Sequence, residues 1–537
     1  MNDDASIAQS IDPQALEIPF RTLGVAFADF VKTHPHKIAI HSIDQDISLD
    51  FAALDALVER TAARMAGAGV TPGDRVAILC GECIEKLVLM FAAWRCGASA
   101  CPFHAEIAFD HLQSILTSID PTLVVWRRGD LDGDALTATL ACGVFSFTAL
   151  AETTETGGFF ATLDDITGPL PAPGSEYGPG DEGCIFATSG TTDRPKCVVW
   201  DHLGLWLCGL STIDFTGMTG EDRLLEYRTF SWLSPQIVTF MPFVSLGLTI
   251  VMAKGFSRSR FMDWVRDHRI TVAAGVPTVI NMLLDEPVAF EPADIASLRV
   301  MTASSAPLAP DRWRQFESHY GIRLLQFYGA SEGGWLCGNR HDKFRIGTAG
   351  PPARHMDLAL VDPEGVVCPT GTEGEITIRG AQTATANITA DGEWEDRTGF
   401  RLTERTRVGD LGVMDEDGFV SVTGRIKDVI LRGGVSIAPL EIDAAIMTHP
   451  GVHEAAVIGV PDPIWGEEIV CYVVPADAAT VSAEDILTHA AETLAGFKRP
   501  RFVEFVAEMP KNARGKVRRE DLKTLWAANT ENLSSPS

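Results

Sequence analysis

Thr188-Ser189-Gly190-Thr191-Thr192-Asp193-Arg194-Pro195-Lys196 gathers four hydroxyls, a glycine and a lysine within nine residues, directly after the apolar run Cys184-Ile185-Phe186-Ala187. An apolar run of that length reads as a buried strand. The polar stretch after it reads as a loop whose hydroxyls, backbone N–H groups and ammonium suit the oxygens of a polyanion. Gly190 permits the turn that aims those amides. By composition alone the segment is also ordinary surface-turn chemistry. The Gly-x4-Gly-Lys-Ser/Thr spacing is missing, so a P-loop kinase or ATPase is not supported.

Outward from this loop, 537 residues with 46% hydrophobic content exceed one ordinary domain, and two or more packed domains are expected. A net charge of −28, from 72 acidic against 44 basic residues, argues against nucleic acid or an anionic membrane as a partner. The start, Met1-Asn2-Asp3-Asp4-Ala5, lacks the basic-then-apolar layout of a secretory signal, and a cytoplasmic protein is expected. The run Ile237 to Ala253 is broken by Pro242, Ser245 and Gly247; it reads as a buried helix entering a strand, with no membrane span. Cys80, Cys83, Cys96 and Cys101 have spacing superficially like a zinc site, but their strand-like and helix-like apolar context favours buried core thiols. Oligomeric state is left open.

The first part of the chain alternates helical and strand patterns. Phe51, Leu54, Leu57, Val58, Ala62 and Met65 mark an amphipathic helix, and Arg75 to Leu79 after Thr71-Pro72-Gly73-Asp74 reads as a strand after a turn. Near the other end, Val457 to Val460 and Ile469 to Val474 read as strands, and Ser482 as a helix cap.

The quoted loop resembles the Thr-Ser-Gly-Thr-Thr-Gly-x-Pro-Lys-Gly signature of the adenylate-forming superfamily of acyl-CoA synthetases, adenylation domains and luciferases, with Asp193 and Cys197 in place of glycines. Further motifs follow in that family's order: Ser304-Ser305-Ala306-Pro307, Gln326-Phe327-Tyr328-Gly329-Ala330-Ser331-Glu332, Val408-Gly409-Asp410, Gly424-Arg425-Ile426-Lys427-Asp428, Gly433-Gly434, and Pro510-x4-Gly515-Lys516-x-x-Arg519. The resemblance implies an α/β fold. Residues 1–424 would form a large multi-subdomain unit of layered αβ sheets, 425–427 a hinge, and 428–537 a small mobile α+β lid carrying the catalytic lysine.

It also implies roles. Thr188, Ser189, Gly190, Thr191, Thr192 and Lys196 would hold the ATP phosphates. Ser305, Ala306 and Pro307, with Gln326, Phe327, Tyr328, Gly329 and Ser331, would line the adenine site. Asp410 would accept from the ribose hydroxyls, and Arg425 would contact ribose and phosphate. Glu332 is the Mg²⁺ candidate. Lys516, with Thr188 and Glu332, would carry catalysis. Ser231, Trp232, Val276, Ser304 and Gly329 would line the acid pocket, with Trp232 where many relatives have histidine. Arg228 nearby is an option for a second acidic group of the substrate, although a structural ion pair is the plainer reading. Lys427 would be the hinge residue, and Gly433 and Gly434 would border a thiol channel.

The implied reaction joins a small carboxylic acid to AMP from ATP, releasing pyrophosphate, and then passes the acyl group to CoA. Only 18 residues follow Arg519, so no in-chain carrier domain is expected. Two alternatives remain: an adenylation enzyme that loads a separate carrier protein, and a catalytically idle binding relative.

Overall fold

The computed structural model describes residues 18–104, 107–131, 135–136, 140–148, 150, 159–160, 168–187, 196–389, 391–476, 481–511 and 516–534. Among these residues the strands form two eight-stranded sheets, one four-stranded sheet and one five-stranded sheet. Strand periodicity explains the layering, because successive side chains leave opposite faces of a sheet. Leu224 joins the large inner core while Leu225 faces an outer one. In the other large sheet Val76 and Ile78 face that same inner core, and Ala77 and Leu79 face a third cluster. The inner core is therefore a helical layer clamped between two sheets, each of which carries further helices on its outer face.

The helix Phe51–Gly67 shows how local sequence enters this plan. Asp50 caps it by accepting from the Ala53 N–H at 2.8 Å, and its buried residues include all six positions that the spacing predicts. Each large side chain buried this way contributes about 1.5–3 kcal/mol. The helix Ile84–Arg95 has no exposed face, since all its residues are buried, including Glu85, Lys86 and Arg95. Such a helix belongs inside an interlayer.

Ile237 to Ala253 spans most of a π-helical turn Gln236–Phe240, a helix Met241–Leu246 and the strand Thr249–Met252, as the sequence reading expects. Pro242 lies where the π-helical turn runs directly into the helix Met241–Leu246, and the Ile237 carbonyl of the preceding turn accepts from Thr212 Oγ1 at 2.7 Å; Gly247 closes the helix at φ 68°. Cys80, Cys83, Cys96 and Cys101 are buried as small apolar residues, the first three in the inner core and Cys101 in an outer one. Among the described residues no helix is long and apolar enough to cross a membrane.

The smaller carboxy-terminal domain carries the five-stranded sheet and two cores of its own, one around Ile430, Ile442, Val457, Ile469 and Ile486, the other around Ile458, Val470 and Leu522. Ser482 caps the helix Ala483–Thr493 through a full capping box with Asp485. Gly433 and Gly434 join the strands Ile430–Arg432 and Val435–Ile437 at φ 61° and 81°, and two consecutive positive φ values are what a two-residue hairpin turn requires.

Candidate active site

Four strands of one large sheet run parallel side by side: Arg223–Glu226, Val272–Ala273, Val300–Ala303 and Arg323–Ala330. The segments singled out from sequence lie at or just beyond their carboxyl ends. These are Arg228 to Pro235, Gly275-Val276, Ser304 to Pro307, and Tyr328 to Glu332. In an open α/β sheet the crevice outside the carboxyl ends of the strands is where ligands bind. Sheet order thus places Ser231, Trp232, Val276, Ser304 and Gly329 along one rim, although they span about a hundred residues of chain.

The rim is held by buried charge. Glu226 accepts Nε and Nη2 of Arg228 at 2.8 and 2.7 Å, the Arg228 backbone N–H at 2.9 Å, and the Thr239 hydroxyl at 2.8 Å. Nη1 of Arg228 donates to Ser234 Oγ at 2.8 Å and Ser304 Oγ at 3.4 Å. Burial pulls the guanidinium pKa down, but the charge and hydrogen bonds of Glu226 outweigh this and leave it above its usual value. Of the two sequence readings of Arg228, the structural ion pair is the one observed.

A second buried pair braces the same segment from the inner helix layer. Glu82 accepts Lys86 Nζ at 2.5 Å, Thr229 Oγ1 at 2.5 Å and the Phe230 N–H at 3.0 Å, while Lys86 Nζ donates to Ser231 Oγ at 2.9 Å. Glu82, Lys86 and Glu226 escaped the sequence reading. The available signal was a Glu and a Lys four apart at the head of an otherwise apolar helix, and a Glu two residues before an Arg.

Where the resemblance puts the nucleotide, Ser305 adopts φ 73°, the left-handed conformation that a glycine takes without strain. Ser305 and Ala306 are half-buried and Pro307 is exposed. Gln326 is half-buried, and its Oε1 is buried without a hydrogen-bond partner among the described residues. Phe327 turns into the inner core between Phe215 and Trp335, with ring centroids at 4.9 and 5.4 Å. Gly329 is needed first by its own hairpin, since a Cβ there would lie 2.3 Å from the Gly334 carbonyl oxygen.

Tyr328 Oη donates to Asp410 Oδ2, and Arg425 Nε lies 3.1 Å from Asp410 Oδ1. Asp410 and Arg425 face each other across the antiparallel pair Thr406–Met414 and Val420–Arg425 of the four-stranded sheet, so this contact joins two sheets at the site. Burial, with the charge and hydrogen bond of Asp410 added, pushes the Tyr328 phenol well above its usual pKa. Ser331 O accepts from Trp200 Nε1 at 3.2 Å and Glu332 O accepts from the Ala384 N–H at 2.8 Å, which ties the Ser331-Glu332 turn to the other large sheet. Glu332 is half-buried. Its single carboxylate is the kind of ligand Mg²⁺ takes, since that ion is held by one or two carboxylates together with substrate phosphates rather than by a protein cage.

The same large sheet as Trp200 holds the hairpin Glu182–Ala187 and Cys197–Asp201, whose tip is the quoted loop. Thr188, Ser189, Gly190, Thr191 and Thr192 lie outside the described residues. Lys196 is exposed at the loop's end, and Cys197 is a buried core residue of the second strand.

In the small domain Lys427 is exposed on a 3₁₀ turn, Ile426–Asp428, and Lys516 is half-buried. Arg519 donates to Asp443 and to Val457 O (3.1 Å), and lies 4.0 Å from Asp428. The segment that bears Lys516 is thereby linked to the turn that bears Lys427. His453 Nδ1 lies 3.7 Å from Asp285 Oδ2, a contact between the small domain and the helix Pro277–Asp285 of the large one.

This arrangement agrees with comparisons to known proteins. The chain is 31% identical to a sulfoacetate–CoA ligase of Cupriavidus necator, covering 93% of this chain and 97% of the relative, and 30% identical to an indoleacetate–CoA ligase of Aromatoleum aromaticum, covering 92% and 96%. It superposes on the crystal structure of ATP-bound MatB from Rhodopseudomonas palustris with a TM-score of 0.84 at 28% identity, over 94% of this chain and 99% of that one. The AMP-binding enzyme family matches residues 27–386 and the AMP-binding enzyme C-terminal domain matches 441–516, so the chain belongs to the AMP-binding enzyme family.

Proposed function

We propose that the protein is an ATP-dependent carboxylate–CoA ligase. The observation that carries the reading is the convergence of the rim segments at the carboxyl ends of neighbouring parallel strands, with Asp410 drawn to them by Tyr328. CoA ligases among its relatives, and an ATP-bound structural neighbour at 28% identity, support it.

In the first step a carboxylate oxygen attacks the α-phosphorus of ATP, the bond to the β-phosphate oxygen breaks, and pyrophosphate leaves. Lys516 and the donors of Thr188, Ser189 and Thr191 stabilise charge growing on the α-phosphate oxygens, and Thr192, Gly190 and Lys196 hold the phosphate chain. Asp410 accepts from the ribose once Tyr328 yields, Arg425 forks between ribose and phosphate, and the unpaired Gln326 Oε1 meets a base donor. Mg²⁺, when bound at Glu332, supplies positive charge to the phosphates. In the second step the CoA thiol gives its proton to solvent, its sulfur attacks the acyl carbonyl carbon, the bond from that carbon to the AMP phosphate oxygen breaks, and AMP leaves. Residues 425–427 flex, Lys427 being the hinge, so that Gly433 and Gly434 replace Lys516 at the site. A cytoplasmic setting, with reducing thiol chemistry, suits eleven free cysteines.

Pyrophosphate release from ATP over a panel of acids tests the first step, and thioester formation with free CoA tests the second. Acid-dependent release without any CoA thioester would favour a separate carrier protein as acceptor. Absence of acid-dependent release would overturn the reading.

A further inference from the structure

Among the described residues two buried cations stand at the acid-pocket side of the rim, Arg228 in it and Lys86 behind it, and both are already neutralised. Arg228 sits in a bidentate pair with Glu226, and its Nη1 serves Ser234 and Ser304. Lys86 is fully buried, paired with Glu82, and directed at Ser231 Oγ. Glu226 is itself fully buried and also holds Thr239, so the Arg228 side chain cannot swing away without leaving a buried carboxylate unpaired. Of the other groups assigned to the acid pocket, Trp232 and Val276 are half-buried and bring no charge, and the remaining charged residue of the described rim segments, Glu332, is an anion.

A substrate tail carrying a second negative charge would add one unit to a buried environment whose charges already sum to zero. Such a charge needs a partner of its own to repay its lost hydration. An apolar tail meets no such cost. Resting on the reading of residues 228–235 as a wall of the acid pocket, we infer that the protein takes monocarboxylic acids with an uncharged acyl body, and that Glu226 is the specificity-determining residue, acting by neutralising Arg228.

The test is pyrophosphate release with acids matched in size and differing in charge: hexanoate against adipate, and benzoate against terephthalate. The wild-type protein is expected to favour the monoanion of each pair in kcat/KM by about 100-fold or more. Glu226→Gln frees the guanidinium and is expected to shrink that ratio by at least about tenfold, through KM for the dianion. The double variant Glu226→Leu/Arg228→Met removes both charges and is expected to keep the monoanion preference; it also serves if Glu226→Gln does not fold, as read by circular dichroism. Equal use of both acids by the wild type, or a double variant that gains the dianions, overturns the inference while leaving the ligase reading intact. Pyrophosphate release with no acid of either charge overturns both.

Discussion

Tyr328 Oη donates its hydrogen to Asp410, so the carboxylate assigned to the ribose is engaged by a phenol on one side and by Arg425 on the other. A nucleotide reaching Asp410 exchanges one hydrogen bond for another, which keeps a buried carboxylate paired in both states. Asp410→Asn is therefore expected to lower kcat/KM for ATP by about 10- to 100-fold, the worth of a hydrogen bond to a charged group. Tyr328→Phe, which leaves Asp410 with Arg425, is expected to cost less. Initial rates over an ATP titration separate the two.

Lys516 is assigned to the first half-reaction alone. Lys516→Ala is expected to slow acyl-adenylate formation by about 100- to 1000-fold, the scale for losing a transition-state donor. Thioester formation from supplied acyl-adenylate and CoA should remain within a fewfold of wild type. Equal loss in both assays would contradict this division.

The pair Glu82–Lys86 makes a prediction about stability. Lys86→Met leaves Glu82 buried without its cation and is expected to cost about 3–5 kcal/mol in urea unfolding. Adding Glu82→Leu removes the orphaned charge and should recover much of that loss. A single variant as stable as the wild type would mean that water reaches Glu82.

His202 sets a pH dependence. Its ring stacks on Tyr177 at 3.5 Å, its Nε2 is buried without a hydrogen-bond partner among the described residues, and burial lowers its pKa from 6.5 to about 3. Between these values the unfolded chain binds a proton that the folded one refuses, so this contribution to stability is complete above pH 6.5 and is lost as pH falls towards 3. The slope from this group is up to about 1.4 kcal/mol per pH unit. His202→Phe keeps an aromatic ring against Tyr177 and should remove that share of the acid sensitivity. Denaturant midpoints at pH 7.5, 6 and 5 for both proteins give the comparison.

Much of the scaffold was legible where the cause is local. The helix Phe51–Gly67 follows from three- and four-residue spacing and the helix after Ser482 from its cap. Motif order along the chain pointed to the family before any contact was seen. The sequence reading placed Phe327 with the adenine site, whereas strand alternation buries its ring between Phe215 and Trp335 and leaves Gln326 and Tyr328 on the other face.

By itself, then, the sequence determined which stretches become helix, strand and turn and which chemical groups the chain owns, because those depend on neighbours a few residues away. Only the tertiary structure decided which charges remain available. Lys86 is matched to Ser231 across 145 residues and Tyr328 to Asp410 across 82, and Arg228 is silenced by a carboxylate that nothing but burial forces upon it. Whether a charge needs a partner depends on how much water reaches it, and that is a property of packed layers rather than of any local run of residues.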